Sequence, residues 1–149
     1  MSAGRGISLR ERAIALLARR EHSRAELAHK LTPHDEAGEL LGVLDDLERA
    51  GQLSDSRYAE ALAHARAGRH GSQRLKADLR NKGVAEEDAA EAMAEARAHD
   101  LMAARAVWTK KFAQAPTNAA ERAKQMRFLA GRGFPLDVIL RVLGADDAD

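Results

Sequence analysis

The sequence predicts an all-α protein, an elongated array of three tandem three-helix repeats with about nine helices. Apolar residues recur at helical spacing along nearly the whole chain, whereas Val, Ile and Thr are sparse and nowhere alternate with polar residues. Residues 79–84 match residues 129–134 at an offset of 50, and the same offset aligns Met93 with Leu143. A repeated helical segment of this length is typical of arrays whose units contact mainly their neighbours.

The first repeat is expected at residues 9–53, after a flexible N-terminus at residues 1–8. Ser8 with Glu11, and Ser23 with Glu26, form the capping-box pattern that begins a helix. Pro33 ends the second helix, because proline fits only the first turn of a helix. The third helix carries four leucines on one face and ends near residue 51: Leu40, Leu41, Leu44 and Leu47.

The second repeat is expected at residues 54–99. Asp55 is predicted to cap its first helix, and Ser72 can cap its second. Gly83 separates the second helix from the third. Tyr58 lies on an apolar helical face, so we assign it to core packing rather than to a binding site.

The third repeat is expected at residues 100–144, followed by an acidic tail at residues 145–149. Pro116 breaks the chain after its first helix, and Asn118 with Glu121 resembles a third capping box. Trp108 and Phe112 are four residues apart on one face of the first helix. Either core packing or a binding hot spot would suit this pair, and core packing is favoured because the repeat has few other large residues.

Charge is segregated along the chain although the formal net charge is only +1. Acidic residues gather in the last helix of each of the first two repeats. Cations gather in the first two helices of the second repeat and of the third repeat. Clustered cations on one surface can bind phosphates, or they can simply solvate exposed helices. We name the cations of these segments the basic stripe and treat them as candidate partner- or DNA-binding residues: Arg66, Arg69, Arg74, Lys76, Arg80, Lys82, Arg105, Lys110, Lys111, Arg122, Lys124, Arg127 and Arg132.

No arrangement of residues predicts catalysis, a cofactor or a metal site. The chain has no cysteine, and its histidines do not form the HExxH pattern of a helical zinc site. Residues 68–71 match the GxxG clamp of some RNA-binding modules, but a loop between helices is favoured because the strands of such a module are absent. We find no signal peptide and no membrane-spanning segment, and therefore expect a soluble cytoplasmic protein that is not an enzyme.

Several motifs in order resemble the RecX family. Residues 15–27 are similar to its opening, a helix followed by Arg, Ser and then Glu-Leu. Residues 53–59 resemble its central motif, Asp-x-Arg-Phe-Ala, with Tyr58 in place of Phe, and residues 128–134 resemble its C-terminal signature. The resemblance extends from Leu9 to Leu143. The residues at family-motif positions are Asp55, Arg57, Tyr58, Gly71, Leu79, Gly83, Gly133 and Phe134.

The resemblance implies three tandem three-helix units, in agreement with the periodicity. It also implies a partner, the RecA recombinase filament on single-stranded DNA, and inhibition of recombinase, ATPase and co-protease activities. We expect a monomer, with DNA contacted through or beside the filament. The main alternative is a winged-helix transcription regulator, because residues 16–53 suit a helix-turn-helix, but the next segment is Ala-rich and helical where a β-hairpin is needed. A scaffold protein without DNA affinity is the other alternative.

Overall fold

The computed structural model describes residues 6–144, and every regular element within them is a helix. The all-α prediction is therefore confirmed. Residues 1–5 of the expected flexible N-terminus, and the expected acidic tail at 145–149, lie outside the described residues. The helices are α1 (Leu9–Arg19), α2 (Arg24–Leu31), a 3-10 turn (Thr32–His34), α3 (Leu40–Arg49), α4 (Asp55–Arg66), α5 (Ser72–Asn81), α6 (Glu86–Lys111), α7 (Ala119–Gly131) and α8 (Leu136–Val142).

Three separate hydrophobic cores follow one another along the chain, one for each group of helices. The first unit packs α1, α2 and α3; the second packs α4 and α5 against the start of α6; the third packs the end of α6 against α7 and α8. No helix in residues 6–144 is long and apolar enough to cross a membrane. The largest buried aliphatic side chains are Leu27, Leu31, Leu44, Leu47 and Leu53 in the first core, Leu75 and Leu79 in the second, and Leu129 and Ile139 in the third.

One continuous helix joins the second and third units. A break was expected near Asp100, but α6 runs through that residue without interruption, so eight α-helices lie in residues 6–144. The segment contains no Gly or Pro and is rich in Ala, which favours an unbroken helix. Ala92 and Met93 belong to the second core, whereas Ala104 belongs to the third. Two of the expected helices are thus one element shared by two cores.

The helix starts read from local sequence are largely confirmed. Ser8 and Ser23 both form complete capping boxes, with their hydroxyls accepting from the backbone N–H groups of Glu11 and Glu26. The side chain of Asn118 accepts a 2.8 Å bond from the backbone N–H of Glu121. These caps depend on residues only three apart, which is why the sequence alone predicts them.

Asp55 does not cap its own helix, and that prediction is wrong. Ser54 caps α4, because its hydroxyl accepts from the backbone N–H of Arg57 at 3.1 Å. Asp55 Oδ1 instead accepts from the backbone N–H of Arg24 at 2.7 Å, so it caps α2 of the preceding unit. Asp55 is one position past the N-cap of α4, and its carboxylate caps α2 instead.

The cap expected from Ser72 is also wrong. The N-cap of α5 is Gly71, and Ser72 is the first helical residue. The backbone N–H of Ser72 donates to Asp100 Oδ1 at 2.9 Å, and its hydroxyl donates to Asp100 Oδ2. Asp100 therefore caps the start of α5 just as Asp55 caps the start of α2, and each carboxylate comes from the next unit along the chain.

Candidate interaction surface at the joints between units

The first joint is the contact between the start of α2 in the first unit and the α5–α6 turn of the second. The hydroxyl of Ser23 donates to the backbone oxygen of Lys82 at 2.7 Å. Gly83 has φ +76°, and a Cβ built on it would lie 2.7 Å from the Cβ of Ala25. A side chain at residue 83 would therefore push the two units apart.

Opposite charges meet at this joint around Glu26. Its carboxylate, of which only 7% is exposed, lies 2.6 Å from Arg20 Nη2 and 3.6 Å from Lys82 Nζ. Burial raises the pKa of Glu26, but the hydrogen bond and charge of Arg20 outweigh this effect and hold the pKa at about 2. The cations of the first joint are therefore paired with a carboxylate of the protein itself.

Arg57, which the sequence predicts to occupy a family-motif position, links the first and second units. Its Nε donates to Glu21 Oε2 at 2.6 Å, and its guanidinium also donates to the backbone oxygens of Gly51 and Gln52 at 3.0 and 3.2 Å. Arg57 therefore attaches the α3–α4 connection to the segment before α2.

The second joint is the contact between the start of α5 in the second unit and the α7–α8 turn of the third. The backbone N–H of Gly71 donates to Arg132 O at 2.8 Å, and that of Gln73 donates to Gly133 O at 2.9 Å. A Cβ on Gly71 would clash with the backbone of Gly133. Gly133 has φ +91°, and a Cβ there would clash with Arg74.

The two joints place corresponding residues in corresponding positions. Lys82 and Arg132 each precede the glycine of their turn, and Glu26 and Arg74 are each the third residue of their helix. The carboxylates of Asp55 and Asp100 cap the helices that enter the joints. Glu26 pairs with Lys82 at the first joint, whereas Arg74 lies against Gly133, the residue after Arg132, at the second. The backbone arrangement is therefore repeated while the charge of one partner is reversed.

Three arginines of the second joint form what we name the arginine cluster: Arg69, Arg74 and Arg132. Arg132 Nη1 donates to Arg69 O at 3.2 Å, and Arg74 packs against Gly133. Within residues 6–144, none of the three forms an ion pair. The structure thus brings together stripe residues that lie up to 63 positions apart in sequence.

His70 lies close to the charges of this cluster. Burial lowers the pKa of its imidazole, and the charges of Arg74, Arg66, Arg132 and Arg69 lower it further. Its Nδ1 is buried and has no hydrogen-bond partner among the described residues. His22, in the corresponding position before α2, instead has both ring nitrogens engaged, by Arg20 O and Lys30 Nζ at 3.0 Å each.

Other stripe residues are dispersed or already paired. Arg66 forms an ion pair with Asp78, the one acidic residue between residues 66 and 82, and Lys82 pairs with Glu26. Arg122 is half-buried on α7. The remaining cations are exposed on helical surfaces: Lys76 and Arg80 on α5, Arg105, Lys110 and Lys111 on α6, and Lys124 and Arg127 on α7.

An aromatic ring lies beside the cluster. The Phe128 ring is 5.1 Å from the Arg132 guanidinium carbon and 5.5 Å from Lys111 Nζ. Phe112 packs edge-on against it, with ring centroids 5.3 Å apart. Trp108 packs on the third core and donates to Gln125 Oε1 at 2.7 Å, and Tyr58 is buried in the second core, which confirms core packing for both.

A groove of 820 Å³ runs between α4 and α6 on one side of the cluster. Alanines form much of its lining, and Glu60, Glu91 and Glu95 give it acidic groups. Because these carboxylates repel anions, a negatively charged ligand of the arginine cluster would approach from another side.

His70 and Phe128 were not among the candidate residues predicted from the sequence. The offset of 50 aligns Lys82 with Arg132, so the sequence could have predicted that the α7–α8 turn resembles the α5–α6 turn. The sequence could not predict that Arg74 lies against the α7–α8 turn, because this contact depends on how the second unit docks on the third.

Comparison with known proteins shows the family. The model of the second three-helix domain of RecX matches residues 54–93, and that of the third matches residues 98–143. "Regulatory protein RecX" of Chromobacterium violaceum is 45% identical over 148 residues, covering 97% of this chain and 96% of the relative. The protein of the same name from Ralstonia pickettii is 43% identical over 143 residues, covering 95% and 90%.

Solved structures agree at the level of the fold. The crystal structure of RecX from Lactobacillus salivarius matches with a TM-score of 0.76 at 17% identity, covering 95% of this chain and 96% of that one. A second crystal structure, described as regulatory protein RecX, matches with a TM-score of 0.72 at 19% identity, covering 90% and 72%. By both sequence and fold, the chain belongs to the RecX family of regulatory proteins.

Proposed function

We propose that this protein binds the RecA recombinase and its filament on single-stranded DNA and inhibits recombinase, ATPase and co-protease activities. It would thereby modulate homologous recombination and the SOS response, acting as a cytoplasmic monomer that regulates by binding rather than by catalysis. The observation that carries this proposal is the RecX relationship, which extends over nearly the full length of the chain and of its relatives.

The arrangement of the units suits such a role. Three cores in a row give the molecule a series of surfaces able to contact successive subunits of a filament. Exposed cations of the basic stripe face solvent on α5, α6 and α7, where they can meet DNA phosphate or acidic protein surface. The acidic residues at the start of α6 can complement basic patches on the same filament: Glu86, Glu87, Asp88, Glu91 and Glu95.

The winged-helix alternative has no support from the fold. Its wing would follow Leu53, and α4 begins at Asp55. No strand occurs in residues 6–144 that could form the required hairpin.

The test is the single-stranded-DNA-dependent ATPase rate of the cognate RecA, titrated with this protein well below one copy per RecA. We expect the rate to fall substoichiometrically and to stay low when free DNA is in excess, because a few copies can cap or disrupt a filament. An unrelated single-strand-dependent ATPase in the same titration is the control for sequestration of DNA. An unchanged RecA rate at every ratio would contradict the proposal.

A further inference from the structure

We propose that the arginine cluster of the second joint is a phosphate-binding site for the backbone of single-stranded DNA. Bound phosphate would there supply the negative charge that Glu26 supplies at the first joint. The inference rests on the proposed function, because it assigns the DNA contact of that function to one place on the chain.

The first step is the correspondence of the joints. Both are built from a helix start, a glycine turn and a capping aspartate of the next unit. At the first joint the third residue of the helix is acidic and neutralises the cation of the turn. At the second joint that residue is Arg74, which lies against Gly133 of the turn, and none of Arg69, Arg74 and Arg132 forms an ion pair within residues 6–144.

The second step concerns which atoms are available to a ligand. The first backbone N–H groups of α5 are already used, because Gly71, Ser72 and Gln73 donate to Arg132 O, Asp100 Oδ1 and Gly133 O. The site therefore consists of side chains. Arg69 and Arg74 are exposed, and a guanidinium can donate two parallel hydrogen bonds to one phosphate. Arg69 Nη2 donates to Ala65 O at 2.6 Å, which leaves its other N–H groups for a ligand.

The third step favours DNA over an acidic protein segment. Further exposed cations lie on the two helices that meet there, Lys76 and Arg80 on α5 and Arg127 on α7. Cations spread over both helices suit a polymer with a charge at every residue. Phe128 adds an aromatic ring beside Arg132 and Lys111, and aromatic rings among cations are the composition that binds single strands.

The experiment compares two variants of equal charge in the full chain. R69A/R74A removes two cations of the cluster, and R19A/R141A removes two exposed cations outside the basic stripe. Binding of fluorescent oligo(dT) is followed by anisotropy over a range of salt. We expect R69A/R74A to bind about tenfold more weakly, with the salt slope reduced by about one, and R19A/R141A to stay within about twofold of the parent. Circular dichroism verifies that both variants are folded.

Two results would overturn the inference. One is R69A/R74A binding oligo(dT) as tightly as R19A/R141A. The other is displacement of oligo(dT) by polyglutamate as effectively as by unlabelled oligo(dT) at equal charge, which would identify the site as a receptor for acidic protein segments. The RecA ATPase titration of the unaltered protein separates this failure from that of the proposed function. Persistent inhibition would leave the proposed function standing without this DNA site.

Discussion

At the first joint, Glu26 lies between Arg20 and Lys82, and at the second joint the same place on the helix is taken by Arg74, against Gly133 of the α7–α8 turn. The two joints nevertheless share their turn glycines and their capping aspartates. Glycine turns and long-range caps are thus common to both joints, whereas the charge at the third helical residue differs. The arginines of the second joint have no ion-pair partner within residues 6–144, so they are available for binding, and this is why the second joint is the better candidate site.

The largest effect on this comparison should come from Gly133→Ala. The new Cβ would clash with Arg74, and φ +91° is strained for alanine, so we expect a loss of about 2–4 kcal/mol in unfolding free energy. Urea unfolding measures it. Gly131→Ala is the matched control, because a Cβ there meets nothing within 4 Å. Equal effects of the two substitutions would show that the second joint is not closely packed.

Glu26→Gln should weaken the first joint by about 1–2 kcal/mol at neutral pH, after allowing for solvent screening at the half-exposed Arg20. The folded pKa of Glu26 is about 2, below its ordinary value of 4.5, so its contribution is complete above pH 4.5 and is lost as the pH falls towards 2. Thermal unfolding between pH 2 and 7 tests this sign. If the unfolding temperatures of the parent and the variant differ by the same amount at every pH in this range, the predicted pH dependence is contradicted.

Arg74→Glu should give the second joint the same charge at the third helical residue that Glu26 gives the first joint. A carboxylate beside Arg132 replaces repulsion by attraction, so we expect stability to rise by about 0.5–1 kcal/mol while oligo(dT) binding weakens. Lys76→Glu makes the same change of charge on the same helix, away from the turn, and serves as the control for stability. A fall in stability with Arg74→Glu would mean that the arginine is needed for packing.

The smallest effect is a shift in the pKa of His70. Burial first, and then four positive charges, hold this pKa below 6.5 in the free protein: Arg74, Arg66, Arg132 and Arg69. The adjoining groove contributes further titratable groups: Glu60, His64, Glu91, Glu95, His99 and Asp100. Phosphate bound to the cluster should raise the pKa, so that a proton is taken up on binding. NMR titration with and without oligo(dT) measures it, and His22 at the first joint is the internal control. Equal shifts at both histidines would contradict a local site.

Local sequence predicted the helix starts because a capping box needs residues only three apart, as at Ser8 and Ser23. It failed at Asp55 and Ser72 because their partners lie 31 and 28 residues away, and only tertiary packing brings them together. The break expected near Asp100 came from imposing equal repeats on a segment that has no helix breaker.

The candidate site was predicted in part for the same reason. Its cations are visible as a dense run in the sequence, but a run does not reveal which members are neutralised. Arg66 pairs with Asp78, 12 positions away, and Lys82 pairs with Glu26, 56 positions away, so neither cation is unpaired. Arg69 and Arg132 are hydrogen-bonded to each other although they lie 63 positions apart.

Because α6 belongs to two cores, it also sets how the array comes apart. A helix of 26 residues is about 39 Å of rigid rod, and its two halves cannot melt independently without exposing apolar side chains of both cores. The second and third units should therefore unfold as one cooperative block. The first unit shares no helix with the second and is attached to it by residues 50–54 and the contacts of the first joint, so it can open separately. In hydrogen exchange, amides of α5 and α7 would then share one protection level, distinct from that of α2.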